Sequence, residues 1–307
     1  MKIVVYAGDD GPAWVRALRS ALPEGEIHLW TASAATAADY AVVWKPSPEI
    51  VASFRRTRAI FNLGAGVDAI GDLDRLASGV PLIRLDDAGM AEQMIEYVTY
   101  AALRCYRDFD AYAEQQRAAL WRPRPRHSKL KFVIGVLGAG VLGSAVATAL
   151  AGLGFTVRVW SRSRKEIAGV ASFAGTDELA RFLAETRFLA CLLPLTARTA
   201  NLLDRERLAL LPRGAYVVNV SRGGLLVDAD LLALLDAGHL AGALLDVFRD
   251  EPLPREHRFW HHPRITVTPH VSAATLVQAS AEQIADKIRR LNAGLPVAGV
   301  VDRARGY

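Results

Sequence analysis

The chain has 307 residues, of which 51% are hydrophobic and 22% charged, so it carries enough apolar material for two compact domains. This balance excludes a disordered chain and a collagen-like repeat. The net charge is a modest +5, and Cys105 and Cys191 lie far apart, with no CxxC pair and no histidine at metal-ligand spacing. We therefore expect no disulfide framework, no metal site and a reducing, cytoplasmic environment.

Two segments could suggest other classes of protein. Residues 122–131 are strongly basic but alternate with Pro123 and Pro125, which indicates an extended connector rather than a nucleic-acid surface with stacking aromatics. Residues 132–157 carry no charge and are long enough to cross a bilayer, but six glycines would weaken such a helix. Two buried strands around a buried helix explain this run better, so we expect neither nucleic acid nor membrane as a partner.

The N-terminal third alternates short apolar runs with helix-like segments. Strands are predicted at residues 2–7, 27–30, 40–44, 59–62 and 81–85, and helices at 13–21 and 73–77. One long helix is predicted over 88–120, where apolar residues recur near a 3.6-residue period. Alternation of this kind predicts a parallel sheet covered by helices.

A second series of strands and helices follows the connector. Strands are predicted at 132–137, 156–160, 188–193, 215–220, 241–247 and 264–268, and helices at 143–153, 229–237 and 273–291. Asp228 is expected to cap the helix at 229–237, and Gly238 to end it in the left-handed conformation.

The two series predict an α/β protein with two doubly wound parallel-sheet domains. Residues 98–271 would form a Rossmann-type dinucleotide-binding domain. Residues 1–97 and 272–307 would form a discontinuous, flavodoxin-like substrate-binding domain, because the last helix returns after the second sheet is complete. We expect the site in the cleft between them, at the carboxyl ends of the strands.

A GxGxxG motif follows the predicted strand at 132–137 and opens a helix, which is the context that a dinucleotide site requires. Gly138 permits the tight turn, Gly140 lets the backbone approach a pyrophosphate, and Gly143 lets helix and strand pack closely. The alternative is a glycine-rich turn in a buried βα unit. The predicted site comprises Gly138, Ala139, Gly140, Val141, Leu142 and Gly143.

The next strand ends in Ser161, Arg162 and Ser163, where an NAD site usually has an acidic residue for the ribose hydroxyl. A guanidinium and hydroxyl groups suit a 2′-phosphate instead, because arginine binds phosphate through two parallel hydrogen bonds. The sequence therefore predicts NADP(H) as the preferred cofactor, with NAD(H) as the second choice. The alternative is a solvent-exposed basic turn.

Three polar segments follow predicted strands of the second sheet and would share one rim. They offer Arg222, Glu251 and His270 to a single cleft. Each has an ordinary alternative when taken alone: a surface ion pair, a loop or a helix cap. The nearby residues His257, His261 and His262 cluster in a polar loop, for which a surface role is expected, and no GxSxG elbow of a hydrolase is present.

The spacing of these residues resembles that of the D-isomer-specific 2-hydroxyacid dehydrogenases. Arg222-Gly223 follows a strand, Glu251-Pro252 comes 29 residues later, and His270 another 19 residues on. Within this family, segments 43–46, 89–94 and 160–163 are similar to the glyoxylate/hydroxypyruvate reductase A group. The resemblance covers nearly the whole chain and is most specific over 134–274.

The resemblance implies a reductase that uses NADPH to convert glyoxylate and hydroxypyruvate to glycolate and D-glycerate. His270 would donate a proton to the carbonyl oxygen, since histidine can do so near neutral pH. Glu251 would orient the imidazole, and Arg222 would bind the substrate carboxylate. Two alternatives stay open: a reductase of a bulkier 2-oxo acid, and a non-catalytic dinucleotide-sensing protein on the same scaffold.

Further residues enter by the same resemblance. Gly64, Ala65 and Gly66 would hold the carboxylate on backbone amides, unless their loop is a plain βα turn. Pocket-wall candidates are Trp44, Lys45, Leu63 and Met90. Candidates near the nucleotide are Leu193, Pro194, Thr199, Val220, Ser221 and Asp246, with Asp246 as an acceptor for the nicotinamide amide. The family usually forms homodimers, and the arm at 100–121 would then carry Trp121 to the partner.

Overall fold

The computed structural model describes residues 1–70, 76 and 79–307. The chain divides into two compact units, which we call unit 1 (Met1–Met90 with Thr275–Tyr307) and unit 2 (Ala91–Ala274). The divisions fall after residues 90 and 274, whereas the sequence placed them after residues 97 and 271.

Unit 1 contains a five-stranded parallel sheet in the order β2-β1-β3-β4-β5. Every residue of β3 and β4 is buried, as expected for central strands that are covered on both faces. This strand order is the one found in flavodoxin-like folds. The strands are β1 (Lys2–Tyr6), β2 (Glu26–Leu29), β3 (Tyr40–Val43), β4 (Ala59–Asn62) and β5 (Leu82–Arg84).

Helices cover this sheet, and two of them escaped sequence prediction because they have only five and six residues. Unit 1 contains α1 (Gly11–Ala21), α2 (Ala32–Thr36), α3 (Pro48–Ser53) and α10 (Val277–Asn292). The predicted helix at 73–77 lies almost wholly outside the described residues.

The C-terminal segment completes unit 1. Helix α10 packs against α1, and beyond it Val300 forms an antiparallel bridge to Ile83 of β5. The buried Lys287 of α10 reaches the Asp86 carboxylate at 2.8 Å. Residues from the two ends of the chain therefore share one core.

Unit 2 contains a seven-stranded sheet, also wholly parallel, in the order β12-β11-β10-β9-β6-β7-β8. The direction of winding reverses between β6 and β9, which is the point where α/β sheets bind ligands. Its strands are β6 (Ile134–Leu137), β7 (Val157–Ser161), β8 (Ala171–Ala174), β9 (Phe188–Cys191), β10 (Ala215–Asn219), β11 (Leu240–Leu245) and β12 (Ile265–Val267). The predicted class, α/β with two doubly wound parallel sheets, is confirmed.

The single helix predicted over 88–120 is wrong, because the segment forms two helices. Asp108 separates them with a φ of +55°, a left-handed conformation that a right-handed helix cannot contain. Its carboxylate lies 3.0 Å from His127 and 3.2 Å from Arg124 of the connector. The α-helices that lie between residues 90 and 274 are α4 (Met90–Tyr106), α5 (Phe109–Arg117), α6 (Val141–Gly152), α7 (Leu179–Ala184), α8 (Arg205–Ala209) and α9 (Asp228–Asp236).

The predicted cap of α9 is also wrong. Val227 occupies the cap position, and Asp228 is the first helical residue, with its carboxylate 3.5 Å from His257. At the other end, Gly238 has a φ of +65°, so the predicted left-handed ending is confirmed. Among the helices that the structure describes, none combines the length and the apolar character needed to cross a lipid bilayer.

Candidate active site

The turn between β6 and α6 carries the three glycines of the predicted dinucleotide motif. Gly138 has a φ of +109°, and a Cβ there would lie 2.7 Å from the Leu192 carbonyl oxygen. A Cβ at Gly143 would lie 1.8 Å from the Gly138 carbonyl oxygen. At Gly140, by contrast, no described heavy atom comes within 4 Å of the Cβ position. The fold therefore requires glycine at 138 and 143, and at 140 the backbone is open to a ligand.

The N-terminus of α6 has the features of an anion site. Gly140 precedes it in an extended conformation, and no side chain in the described ranges caps the helix. Ala139 is buried, Leu142 is half-buried, and Val141 is exposed in the first turn. Uncapped N–H groups and the helix dipole favour negative charge. The turn therefore fits the pyrophosphate of a dinucleotide.

We expect Gly143→Ala to weaken NADPH binding at least tenfold and to lower the unfolding midpoint. The added methyl would collide with a backbone carbonyl, and overpacking of this kind costs about 1–3 kcal/mol. A fluorescence titration with NADPH and a thermal melt measure the two effects. Gly152→Ala in the same helix is the matched control, because its Cβ meets no described atom within 4 Å. Equal binding by the two variants would contradict the packing role of Gly143.

The basic turn after β7 contains side chains that form hydrogen bonds within the protein and side chains that are exposed. Ser161 is buried, and its hydroxyl donates to the Ser163 carbonyl oxygen at 2.7 Å, which shapes the turn. Arg164 pairs with Glu178, with both carboxylate oxygens at 2.7 Å from the same guanidinium nitrogen. Arg162 and Ser163 are exposed beside the end of β7. A phosphate contact by Arg162 stays a prediction.

The loop after β9 is tied to the turn after β10. Thr199 Oγ1 donates to the Pro194 carbonyl oxygen at 2.6 Å, and the Ser221 hydroxyl donates to the carbonyl oxygen of Leu193. Val220 between these elements is buried. Because β9 and β10 are parallel neighbours, these residues lie at one edge of the sheet. Their contact with a cofactor stays a prediction.

Arg222 lies in a turn that a buried asparagine holds. Asn219 ends β10; its amide nitrogen donates to the Arg222 carbonyl oxygen at 2.9 Å, and its Oδ1 accepts from the Ser221 N–H at 3.2 Å. A Cβ at Gly223 would lie 1.9 Å from the Phe248 carbonyl carbon, so the turn presses against the loop after β11. Sequence reasoning did not assign Asn219 a role, although a buried polar residue at a strand end was a usable signal.

Glu251 links that loop to His270. One carboxylate oxygen accepts from the Phe248 N–H at 3.0 Å, and the other lies 2.7 Å from His270 Nδ1. Within the described residues, His270 Nε2 has no protein partner, and the His270 side chain is 43% exposed. The pair therefore presents one imidazole nitrogen outward while a carboxylate holds the other. This arrangement can donate or accept a proton at Nε2.

The backbone of His270 is held in an uncommon conformation. Its φ is +56°, which costs energy for a residue other than glycine. The His270 N–H donates to the Asp246 carbonyl oxygen at 2.9 Å. The Asp246 carboxylate accepts from Val271 N–H at 2.9 Å and from Ser272 N–H at 2.8 Å. Main chain and side chain of Asp246 thus hold the backbone of His270 and of the two residues that follow it.

Two residues that bond to the Asp246 side chain, one directly and one through the other, were not identified as site residues from the sequence. Thr268 Oγ1 donates to Asp246 Oδ1 at 2.5 Å, and the Tyr97 hydroxyl is bonded to the same threonine. Burial raises the pKa of the Tyr97 phenol well above its ordinary value, so this hydroxyl stays protonated. Since Asp246 is fully buried and accepts three hydrogen bonds, its observed task is to position the His270 loop. Its predicted contact with a nicotinamide amide stays a prediction.

In unit 1, the loop after β4 is tied down by polar side chains. Asn62 Nδ2 donates to the carbonyl oxygens of Gly64 at 3.1 Å and of Gly66 at 2.8 Å. Thr275 Oγ1 donates to the Leu63 carbonyl oxygen at 3.1 Å. The carbonyl groups of Leu63, Gly64 and Gly66 therefore face the protein. Neither Asn62 nor Thr275 was identified as a site residue from the sequence.

Of the predicted pocket-wall residues of unit 1, Trp44 lies at the glycine loop with Lys45 next to it, and the other two are buried. Trp44 packs on the glycine loop, since a Cβ at Gly64 would lie 2.7 Å from its ring. Lys45 has a φ of +43°, and its ammonium lies 5.6 Å from the centre of the Trp44 ring. Leu63 and Met90 are buried. Their contact with a substrate stays a prediction.

Two further histidines lie in ion pairs, and both cysteine thiols stay protonated at neutral pH. His257 and His262 pair with Asp228 and Asp236 of α9, at 3.5 and 3.2 Å. Burial raises the pKa of both thiols, Cys105 and Cys191, to about 12, so neither is a thiolate at neutral pH. Over the described ranges, no three His, Cys, Asp or Glu side chains gather in a way that could hold a metal ion.

Comparison with known proteins agrees with this geometry. Residues 99–272 match the family described as D-isomer specific 2-hydroxyacid dehydrogenase, NAD binding domain. The chain is 48% identical over 299 residues to a glyoxylate/hydroxypyruvate reductase A of Yersinia enterocolitica, covering 96% of each chain.

Two crystal structures have a similar fold. A D-isomer specific 2-hydroxyacid dehydrogenase from Xanthobacter autotrophicus in complex with NADPH and MES has a TM-score of 0.94 and 40% identity, covering 100% of this chain and 99% of that one. An NADPH-dependent glyoxylate/hydroxypyruvate reductase from Sinorhizobium meliloti, in complex with NADP and sulfate, has a TM-score of 0.90 and 37% identity, covering both chains fully. With the glycine turn of unit 2 and the Glu251–His270 pair, these similarities show that the chain belongs to the D-isomer specific 2-hydroxyacid dehydrogenase family.

Proposed function

We propose that this protein is an NADPH-dependent reductase that converts glyoxylate to glycolate and hydroxypyruvate to D-glycerate. The observation that carries the proposal is the Glu251–His270 pair, with Nδ1 2.7 Å from a carboxylate oxygen and Nε2 facing outward. The pair follows β11 and β12 of a sheet whose β6–α6 turn fits a dinucleotide. Relatives that share 37% and 48% of their residues with this chain carry the same activity in their names.

The cofactor would be held by the turn from Gly138 to Gly143, with its pyrophosphate at the N-terminus of α6. Arg162 would bind the 2′-phosphate beside the end of β7. When bound, NADPH supplies the hydride that reduces the carbonyl carbon of a 2-oxo acid.

The protein's own groups supply the proton and the orientation. His270 Nε2–H donates a proton to the carbonyl oxygen, so that the hydride and the proton together convert the ketone or aldehyde to an alcohol. Glu251 accepts the hydrogen bond from Nδ1–H, which fixes the orientation of the ring. The Arg222 guanidinium binds the 2-oxo acid through two parallel hydrogen bonds and sets the carbonyl for attack.

The decisive experiment follows NADPH absorbance with purified protein and a panel of 2-oxo acids. Glyoxylate and hydroxypyruvate should be reduced with the highest kcat/KM. A strong preference for phenylpyruvate or a branched-chain 2-oxo acid would replace the proposed substrates. Tight NADPH binding without turnover of any panel member would instead indicate a dinucleotide-sensing protein.

We expect Arg162→Ala to raise the KM for NADPH about 10–100-fold, because one hydrogen bond to a charged group contributes about 1.5–3 kcal/mol. The KM for NADH, which has no 2′-phosphate, should change less than about twofold. Initial rates with both cofactors measure the difference, and Arg181→Ala on the exposed face of α7 is the control. A wild-type preference for NADH would overturn the choice of NADPH.

The proposal extends to domains and assembly. Unit 2 would bind the dinucleotide and unit 1 the substrate anion.

Exposed apolar side chains along α4, α5 and the connector, among them Tyr100, Phe109 and the 97% exposed Trp121, suit a homodimer contact through this arm. Sedimentation velocity should give a dimer for the wild type, and a monomer at working concentration would reject this contact. Two free cysteines suit a cytoplasmic enzyme, which cell fractionation tests.

A further inference from the structure

We propose that Asn62 is a positioning residue that shapes the loop Leu63–Val67 into a receptor for the carboxylate of the 2-oxo acid. We call this loop, residues 63–67, the amide loop. The inference rests on the proposed function, because it assumes a carboxylate-bearing substrate. It adds a residue that neither the motif spacing nor the family resemblance singled out.

The first step is the direction of the carbonyl groups. Four of the five carbonyls in the amide loop accept from protein donors. The Asn62 amide nitrogen donates to Gly64 and Gly66, the Thr275 hydroxyl donates to Leu63, and the Ile70 N–H donates to Val67. The Gly64 carbonyl also accepts from the Leu85 N–H at 3.3 Å. One side-chain nitrogen of Asn62 thus fixes two peptide groups. Because that side chain is fully buried at the end of β4, the attachment is rigid.

The second step is the direction of the N–H groups. In a trans peptide, the N–H points opposite to the carbonyl of the preceding residue. Each carbonyl that faces Asn62 or Thr275 therefore turns the next N–H outward. Within the described residues, the N–H groups of Gly64, Ala65, Gly66 and Val67 donate to no protein acceptor. Successive free N–H groups of this kind form an anion-binding concavity.

The third observation is an unpaired atom on the same side chain. Asn62 Oδ1 is buried, and it has no hydrogen-bond partner in the part of the chain that the structure describes. An unpaired buried acceptor destabilises a fold, and such groups concentrate where function requires them. The two hydrogen bonds from Nδ2 are what this side chain contributes, and both go to the amide loop. This assigns Asn62 to the loop rather than to the general stability of unit 1.

The test compares Asn62→Leu, which keeps the size but removes the donor, with Asn62→Ala and Thr275→Val. Asn292→Ala is the control. The Asn292 side chain bonds Tyr40 at the amino end of β3, whereas Asn62 lies at the carboxyl end of the neighbouring strand β4. For each variant, kcat and the KM values for glyoxylate and NADPH are measured. Calorimetric titration of oxamate, an unreactive 2-oxo acid analogue, into the enzyme–NADPH complex gives a readout that needs no turnover.

We expect both Asn62 variants, which lose two hydrogen bonds to the loop, to raise the KM for glyoxylate and the Kd for oxamate about tenfold or more. Thr275→Val loses one hydrogen bond and should raise both constants about threefold. The KM for NADPH and the unfolding midpoint should stay close to those of the control. Glyoxylate and oxamate constants within twofold of the control would overturn the inference. A lower kcat, higher KM values for both glyoxylate and NADPH, and a lower unfolding midpoint would together assign Asn62 to stability. That outcome would also overturn the inference. A wild-type enzyme that neither reduces glyoxylate nor binds oxamate would reject the proposed function instead.

Discussion

Replacement of His270 by asparagine is expected to lower kcat for glyoxylate reduction by roughly 10²–10⁴, the range that positioned acid–base groups contribute. Asparagine tolerates the left-handed backbone that this position requires, with its φ of +56°, so the loop should keep its shape. The amide has no ionisable proton to donate to the carbonyl oxygen. The KM for NADPH should change little, because the glycine turn that would bind it follows another strand.

Steady-state rates with saturating glyoxylate and NADPH measure the effect. His257→Asn is the matched control, since His257 pairs with Asp228 at 3.5 Å and lies outside the Glu251–His270 pair. Its kcat should match that of the wild type. A fall of less than tenfold for His270→Asn would assign the proton to another group.

The second large effect is expected at Arg222. Arg222→Gln should lower kcat/KM for glyoxylate by roughly 10²–10⁴, because each hydrogen bond between charged groups contributes about 1.5–3 kcal/mol and the guanidinium supplies two. Arg222→Lys keeps the charge but loses the planar fork, so it should fall between glutamine and wild type.

Arg213→Gln provides the control at the opposite end of the same strand. Arg213 precedes β10 and donates to the Gly238 carbonyl oxygen at 3.3 Å, whereas Arg222 follows β10. Its kcat/KM should stay close to the wild-type value. If Arg222→Lys retained full activity, charge alone would suffice, and the two-bond geometry proposed for this residue would be wrong.

Much of the fold could be predicted because its causes are local. The turn at Gly138, Gly140 and Gly143 follows from backbone sterics, which a few neighbouring residues decide. The βα alternation follows from short apolar runs separated by turn residues. The proximity of Glu251 and His270 follows from parallel strands whose carboxyl ends share one edge.

The features that escaped prediction have distant causes. Asp108 separates α4 from α5 with its left-handed backbone, and its carboxylate pairs with Arg124 and His127, on a segment that has no regular structure. Asp246 positions the His270 loop through donors more than twenty residues away in sequence. A pattern of residue types identifies a buried polar side chain as a candidate, but only the folded chain shows which groups it bonds.

The way in which unit 1 is assembled from both ends of the chain has a consequence for its biosynthesis. Its five strands are all translated first, yet α10 and the bridge at Val300 arrive only with the final residues. On the ribosome, the segment Ala91–Ala274 emerges as an uninterrupted stretch and can complete its own core while unit 1 still lacks α10. Nascent chains stalled before residue 277 should therefore expose the face of α1 to chaperones, and release of the last helix should end that exposure.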